Sequence, residues 1–191
     1  MGKFFSRRTR VLESGVESDD SLLHIAIAGG SLREWEVFGL QWEVRIEELT
    51  TLMSSFGVQF LSLYPYGPDN EDAKVQGKSF DRQININGVD VSIHSSTDGR
   101  ERICAALEVR DEHELVTENF LDHRLFGNAG DPDLVVVLGP ANCLPRSLVW
   151  ELAPSEIVFV EQSWTLLPLE NIQSAIQEYF LRHRRFGGVD T

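Results

Sequence analysis

Cysteine is scarce in this chain: Cys104 and Cys143 are the only two. A disulfide framework is thereby excluded, and neither residue stands at a metal-ligand spacing, so both read as small core residues in a reducing compartment. His24, His94, His113, His123 and His183 are scattered, with no pair at helical or hairpin ligand spacing, and each reads as packed or solvated rather than metal-bound. No apolar run approaches the ~20 residues of a membrane-spanning helix. Basic residues are in deficit, with 17 Lys and Arg against 30 Asp and Glu and a formal net charge of −13. That disfavours nonspecific nucleic-acid binding, which rests on basic patches against phosphate, and broad adhesion to an anionic membrane. Gly29-Gly30 has neither the P-loop nor the dinucleotide spacing. No Ser or Cys nucleophile motif, internal repeat or low-complexity segment stands out.

What remains is an ordinary globular composition, 42% hydrophobic and 25% charged over 191 residues, enough for one domain with a full core. Residues 1–20 carry few core formers and read as a flexible tail, basic at Lys3, Arg7, Arg8 and Arg10, then acidic at Glu13, Glu17, Asp19 and Asp20. The domain occupies residues 21–191. Residues 22–28 form a short apolar run before a glycine pair, as in a buried strand entering a loop. Residues 42–56 carry apolar side chains near helical spacing, and Gly57 suits the C-terminal cap. A strand follows at 58–64, broken by Pro65 and Gly67-Pro68. Residues 65–82 are polar and aperiodic, a loop. Residues 84–93 alternate around Asn87-Gly88, the strongest short hairpin signal. A helix beginning near Asp98 turns Ile103, Ala106 and Leu107 inward, and a second is expected over 112–125, ending near Gly127-Asn128. Strands at 134–138 and 156–160 flank a short helical turn at 148–152, and an amphipathic helix closes the chain at 169–184. Strands alternating with helices predict an α/β domain with a largely parallel sheet.

Two segments say more. The chain carries Asp131-Pro132-Asp133-Leu134-Val135-Val136-Val137-Leu138-Gly139-Pro140 and, near its end, Arg184-Arg185-Phe186-Gly187-Gly188. The second resembles the Arg-x-Gly tail of cis-prenyltransferases. The first resembles the non-catalytic, Nogo-B receptor-like branch of that family, the subunit of dehydrodolichyl diphosphate synthase. His24-Ile25-Ala26-Ile27 is similar to the family's first strand, and Val58–Tyr64 to its second. Ser95-Ser96-Thr97-Asp98-Gly99-Arg100 resembles the Asp-Gly-Lys turn of the Nogo-B receptor branch, and Glu156-Ile157-Val158 its next strand. The resemblance covers roughly residues 22–188. It implies a central, mostly parallel sheet flanked by helices, with the tunnel-forming helical hairpin shortened or absent, since residues between Tyr64 and Val89 hold too few apolar side chains to wall a polyprenyl chain.

Within that resemblance the chemistry is depleted. With Trp35 on the family tryptophan, Gly30 falls on the catalytic aspartate that helps hold Mg2+ and the allylic diphosphate, Leu32 on an asparagine and Glu34 on an arginine. Glycine has no carboxylate, and a Glu facing phosphate would repel it. The arginines that grip isopentenyl diphosphate fall on Val137 and Cys143, and the serine on Pro145; Arg146 is basic but out of register. The resemblance therefore implies no catalytic residue and no metal in this chain's own pocket. It implies instead that Arg185 and Gly187 are donated to a catalytic partner, which holds Mg2+ and the prenyl substrates. Arginine's planar fork matches phosphate oxygens, and a glycine lets the backbone approach the anion. Without a partner, the same arginines simply complement a helix dipole. The implied partner is a catalytic cis-prenyltransferase subunit, with isopentenyl diphosphate bound through the shared site. The implied product is long-chain polyprenyl diphosphate for dolichol and protein glycosylation. Apolar clusters at Leu148, Val149, Trp150 and Leu152, and at Trp164, Leu166, Leu167 and Leu169, supply core and a candidate pairing surface.

Met1-Gly2-Lys3-Phe4-Phe5-Ser6 fits the N-myristoylation pattern on Gly2, followed by Arg7, Arg8 and Arg10. An acyl chain plus basic residues is a two-signal anchor, consistent with a peripheral place on the cytoplasmic face of the endoplasmic reticulum membrane; without the lipid the expected location is cytoplasmic. Two rivals stand beside the subunit reading: a divergent homodimeric cis-prenyltransferase in which Glu34 or Asp98 holds Mg2+, and a lipid- or receptor-binding module on the same fold.

Overall fold

The computed structural model describes residues 21–39, 41–66, 80–111 and 113–186, with side chains through Arg182. Five parallel strands, β1 (His24–Ala28), β2 (Phe60–Tyr64), β4 (Val89–Ile93), β5 (Leu134–Leu138) and β6 (Glu156–Val160), are joined by one antiparallel edge strand, β3 (Arg82–Ile86). The spatial order is β3-β4-β2-β1-β5-β6. The chain builds outward from β1 through β2 to β4, then returns to place β5 on the other side of β1. The β1/β5 boundary is therefore the topological switch point, the crevice in which open α/β sheets bind ligands. Register there sets Ala28 opposite Tyr64 on one side and Val137 on the other.

The two faces of the sheet differ. One carries Ile25, Ile27, Leu61, Leu63, Val91, Ile93, Leu134 and Val136, all buried, and packs α1 (Leu32–Phe38), α2 (Gln41–Ser55) and α5 (Leu169–Phe186) over it. α2 sends Trp42, Ile46, Leu49 and Met53 into this core at helical spacing, and α5 sends Ile172, Ala175, Ile176 and Tyr179. The other face mixes small, polar and β-branched side chains, His24, Ala26, Ala28, Ser62, Tyr64, Val135 and Val137, and forms a second, smaller apolar cluster with Leu148. Covered on both faces, β5 reads as an unbroken apolar run and β1 as one after His24. The β3–β4 hairpin turns at Asn87 and Gly88, with φ of 54° and 78°, the paired left-handed residues of a two-residue hairpin turn.

Three expectations need correction. Residues 32–38 form a helix that the periodicity did not announce. Its signature was nevertheless present: Ser31 and Glu34 make a capping box, with Glu34 N donating to Ser31 Oγ at 3.1 Å and Ser31 N to Glu34 Oε2 at 2.8 Å. The helix expected over 112–125 is α4, Glu118–Phe126. Thr117 decides its start by accepting a hydrogen bond from Phe120 N, and Gly127 ends it as expected. Residues 148–152 form turns and bends rather than a helical turn. By contrast α3 (Gly99–Glu108) begins at Asp98 as the sequence implies, with the Asp98 side chain capping Arg100 N. Residues 67–79, which include most of the expected loop, lie outside the described residues. Among the described residues no helix falls between β2 and β3.

Candidate functional site at the switch point

The carboxyl ends of β1 and β5 converge on two glycine segments, Gly29-Gly30 and Gly139. Both are closely covered. A Cβ on Gly29 would lie 2.4 Å from Leu138 Cδ1, and one on Gly139 would lie 2.2 Å from Tyr66 Cε1. Tyr66 is fixed over this spot from three sides. Its N–H donates to Gly30 O at 2.7 Å in an isolated antiparallel bridge, its hydroxyl donates to Cys143 O at 3.3 Å, and its ring lies on Gly139. Burial, then its hydrogen bond and proximity to Cys143, push the Tyr66 phenol up to about 12.

Gly30 has a left-handed φ of +73°, and a Cβ there would lie 2.9 Å from both Trp164 Cβ and Trp35 Nε1. Trp35 is locked in turn by its indole N–H, which donates to Gly29 O at 2.9 Å. Trp35, Trp42 and Trp164 form a cluster of tilted rings, with centroids 4.6 Å (Trp35–Trp42) and 5.0 Å (Trp42–Trp164) apart. The position that the resemblance equates with the metal-binding aspartate is thus backbone wedged against indoles.

The residues present do not fit a magnesium ion, which asks for near-octahedral oxygen ligands. Gly30 offers no carboxylate. Glu34 spends an oxygen on the N–H of Ser31. Asp98 receives Arg100 and Arg146, and hydrogen bonds from Arg100 hold its carboxyl well below the usual carboxylate range. Among the described residues no group of three or more His, Cys, Asp and Glu is placed to hold a metal.

Beside this crevice, on the polar face, lies a cluster that sequence reasoning missed. Arg102 from α3 is ion-paired with Glu151 of the β5–β6 connection, with side-chain exposures of 10% and 1%. The Arg102 guanidinium lies 4.7 Å from the centroid of the Tyr64 ring, and Tyr64 stacks on His94 at 4.7 Å. Glu151 Oε2 accepts from Val149 N at 3.1 Å, and Ser147 Oγ donates to Pro65 O at 2.6 Å. Burial, reinforced by Arg102, lowers His94 to about 3, so its imidazole stays neutral. Burial also raises the Tyr64 phenol, against the pull of Arg102. One signal in the sequence could have hinted at the cluster: a Glu in an apolar run, Leu148-Val149-Trp150-Glu151-Leu152, must find a partner if the run packs.

The structure brings several sequence candidates together and leaves others apart. Val137 is buried within β5, and Pro145 is buried beside exposed Cys143 and Arg146. Cys104 is exposed as well, so neither cysteine is a core residue. His24 is a satisfied core histidine, with Nδ1 2.8 Å from Gly130 O and Nε2 2.9 Å from Ser62 Oγ. Of the apolar clusters, Leu148, Trp164 and Leu167 are core, whereas Val149 and Leu166 are exposed. Trp150 Nε1 donates to Asp122. Arg185 lies in α5, and its side chain, like Gly187 and Gly2, is outside the described residues. No helix among the described residues is long and apolar enough to cross a membrane.

A parallel sheet with its ligand crevice at a β1/β5 switch point defines a doubly wound α/β protein. The sequence profile of the family described as putative undecaprenyl diphosphate synthase matches residues 72–187, and the chain belongs to this cis-prenyltransferase family. It is similar to an isoprenyl transferase of Listeria monocytogenes, 36% identical over 44% of this chain and 33% of that one. It is also similar to the ditrans,polycis-undecaprenyl-diphosphate synthase of Micrococcus luteus, described as farnesyl-diphosphate specific, at 29% over 48% and 40%. An isoprenyl transferase of Thermotoga maritima is 29% identical over 62% and 52%. The matches thus span about a third to a half of these relatives' own lengths. The fold is shared with the crystal structure of a probable undecaprenyl diphosphate synthase from Campylobacter jejuni, at a TM-score of 0.54 and 19% identity over 84% of this chain and 96% of that one.

Proposed function

We propose that this chain works in cis-prenyl transfer as a subunit without a metal site of its own, donating its Arg185-Phe186-Gly187 tail to a catalytic partner. One observation carries the reading: at the end of β1, where the resemblance expects a carboxylate, Gly30 sits with left-handed backbone against Trp35 and Trp164. Restoring an aspartate would need those indoles to move. The diphosphate arginines are also absent, at buried Val137 and exposed Cys143. A transferring diphosphate needs fixed positive charge close to the developing anion, and an arginine followed by a flexible glycine supplies it. In this reading the partner supplies the aspartate and Mg2+, isopentenyl diphosphate sits in the shared site, and the product is a long-chain polyprenyl diphosphate of the kind used for dolichol and glycosylation. A Gly2 acyl anchor would hold the complex to the endoplasmic reticulum membrane.

The relatives' names weigh toward a second reading, in which the chain is itself a divergent, homodimeric prenyl-transferring enzyme. That reading needs Glu34 or Asp98 to leave its present partners and bind Mg2+. One assay separates the two: prenyl transfer from farnesyl and isopentenyl diphosphates with Mg2+, by the purified chain and by the complex it forms in its own cells. The subunit reading expects silence alone and activity in the complex, with Arg185→Ala lowering the latter at least about tenfold while assembly persists, since one lost phosphate contact is worth about 1.5–3 kcal/mol. Turnover by the chain alone would establish the enzyme.

A further inference from the structure

We infer that the groove between α1, α2 and the start of β3 is a docking site for the chain's own N-terminal segment, residues 3–8. The rings of Trp35, Trp42 and Phe80 line this groove, together with three carboxylates, Glu36, Glu43 and Asp81, and one cation, Arg82. Arg82 is spent on Glu43, at 2.7 Å, and Asp81 accepts only from the neutral Ser95 N–H, so negative charge is left in excess. On the same two helices Val37 and Val44 are 79% and 55% exposed, which leaves apolar surface uncovered beside the acidic groove. The volume of about 260 Å3 falls short of the roughly 300–1,000 Å3 of a drug-sized ligand's pocket but admits an aromatic side chain. A matching occupant is therefore aromatic and cationic. Residues 3–8 read Lys-Phe-Phe-Ser-Arg-Arg, two phenylalanines between cations that can face both carboxylates and indole rings. Residues 67–79 also lie outside the described residues and lead directly into Phe80, but they hold no aromatic residue and carry Asp69, Glu71 and Asp72 against Lys74 and Lys78. The N-terminal segment can reach. Trp35 Nε1 donates to Gly29 O, which places the groove at the carboxyl end of β1, roughly 26 Å of extended strand from residue 21. Residues 9–20 make a tether that spans up to about 40 Å. Seated in the groove, the basic segment is withheld from any anionic surface. The inference is independent of the subunit reading.

The test is paramagnetic broadening in the full chain. A nitroxide is attached at Thr9→Cys, which leaves residues 3–8 intact, after the two exposed cysteines are removed as Cys104→Ser and Cys143→Ser. The indole N–H signals of Trp35 and Trp42 should lose most of their intensity, while that of Trp150, bonded to Asp122 of α4, serves as the reference outside the groove. Phe4→Ser with Phe5→Ser should restore the two signals, and so should Glu36→Lys, which changes an exposed side chain and not the core. High salt should weaken the effect, because the charges involved are near the surface. Broadening that is absent, or equal at Trp150, would overturn the inference, as would broadening that survives both Phe4→Ser with Phe5→Ser and Glu36→Lys. Broadening in a mixture of spin-labelled chain with isotope-labelled chain that carries no nitroxide would also overturn it, since the occupant would then belong to a second copy. None of these results touches the subunit reading, which is decided separately by prenyl-transfer activity of the wild-type chain alone.

Discussion

In the proposed reading, Gly30 stands where the resemblance places a metal-binding aspartate, so the case for a silent pocket rests on one side chain. An L-residue in the left-handed region costs roughly 1–2 kcal/mol, and forcing extra atoms into a packed site costs typically another 1–3. Gly30→Asp should therefore lower stability by about 2–5 kcal/mol and the melting temperature by about 5–15 °C. A Gly30→Asp protein that melts with wild type would mean that the two indoles yield easily and that a carboxylate can be accommodated at this position. His94 offers a second test at this scale. Its folded value of about 3 lies below the ordinary 6.5, so between those values the unfolded chain binds a proton that the folded one does not. Stability contributed by the neutral imidazole is full above pH 6.5 and is lost as pH falls toward 3. Between pH 7.5 and 5.5 wild type should lose about 1 kcal/mol more than His94→Phe, which keeps the stacking on Tyr64. Urea unfolding at the two pH values measures it, and equal slopes for the two proteins would contradict the buried, neutral histidine.

At the scale of elements, the molecule is tied together by contacts that link segments distant in sequence. Arg102 and Glu151 join α3 to the connection between β5 and β6, and the pair is nearly sealed from water. Removing one member of a buried pair leaves an uncompensated charge, at a cost of about 3–5 kcal/mol. Glu151→Ala should show that loss in chemical denaturation, and the paired apolar replacement of Arg102→Met with Glu151→Leu should recover most of it. A double variant as unstable as the single one would show that the cluster's hydrogen bonds, rather than its charge balance, hold the connection. The same scale explains what was legible. The Asn87-Gly88 hairpin, the Asp98 cap and the Gly127 stop are local chemistry, readable residue by residue. α1 was missed because its signal is a cap rather than a period. α4 was placed six residues early because its start is set by Thr117, whose side chain accepts the capping hydrogen bond from Phe120 N, and not by the apolar pattern.

At the scale of the whole molecule, the sheet has one large aliphatic face and one mixed face that combines a smaller apolar cluster with polar side chains. Large side chains on the first face, Ile25 and Ile27 among them, pack the helices. On the second, Ala26 and Ala28 leave room for Leu148, while Tyr64 packs against Arg102. With a net charge of −13, and with Arg102 and Arg146 ion-paired to Glu151 and Asp98, the chain alone offers a diphosphate little fixed positive charge. At this scale the expectation is that the isolated chain is silent in prenyl transfer and that activity appears with a partner.

The family, the alternation of strands and helices, and the absence of a side chain at position 30 were all determined by the sequence itself, because each rests on local periodicity or on the identity of a single residue in a motif. The strand order, the switch point between β1 and β5, the Tyr66 ring on Gly139 and the Arg102–Glu151 pair were decided only by the tertiary structure. The Arg102–Glu151 pair joins residues 49 positions apart and Tyr66 reaches Cys143 across 77, while the strand order depends on which side of β1 the returning chain lays β5; nothing in a local pattern encodes that choice, because the side chains involved find their partners only once the sheet has brought them within reach.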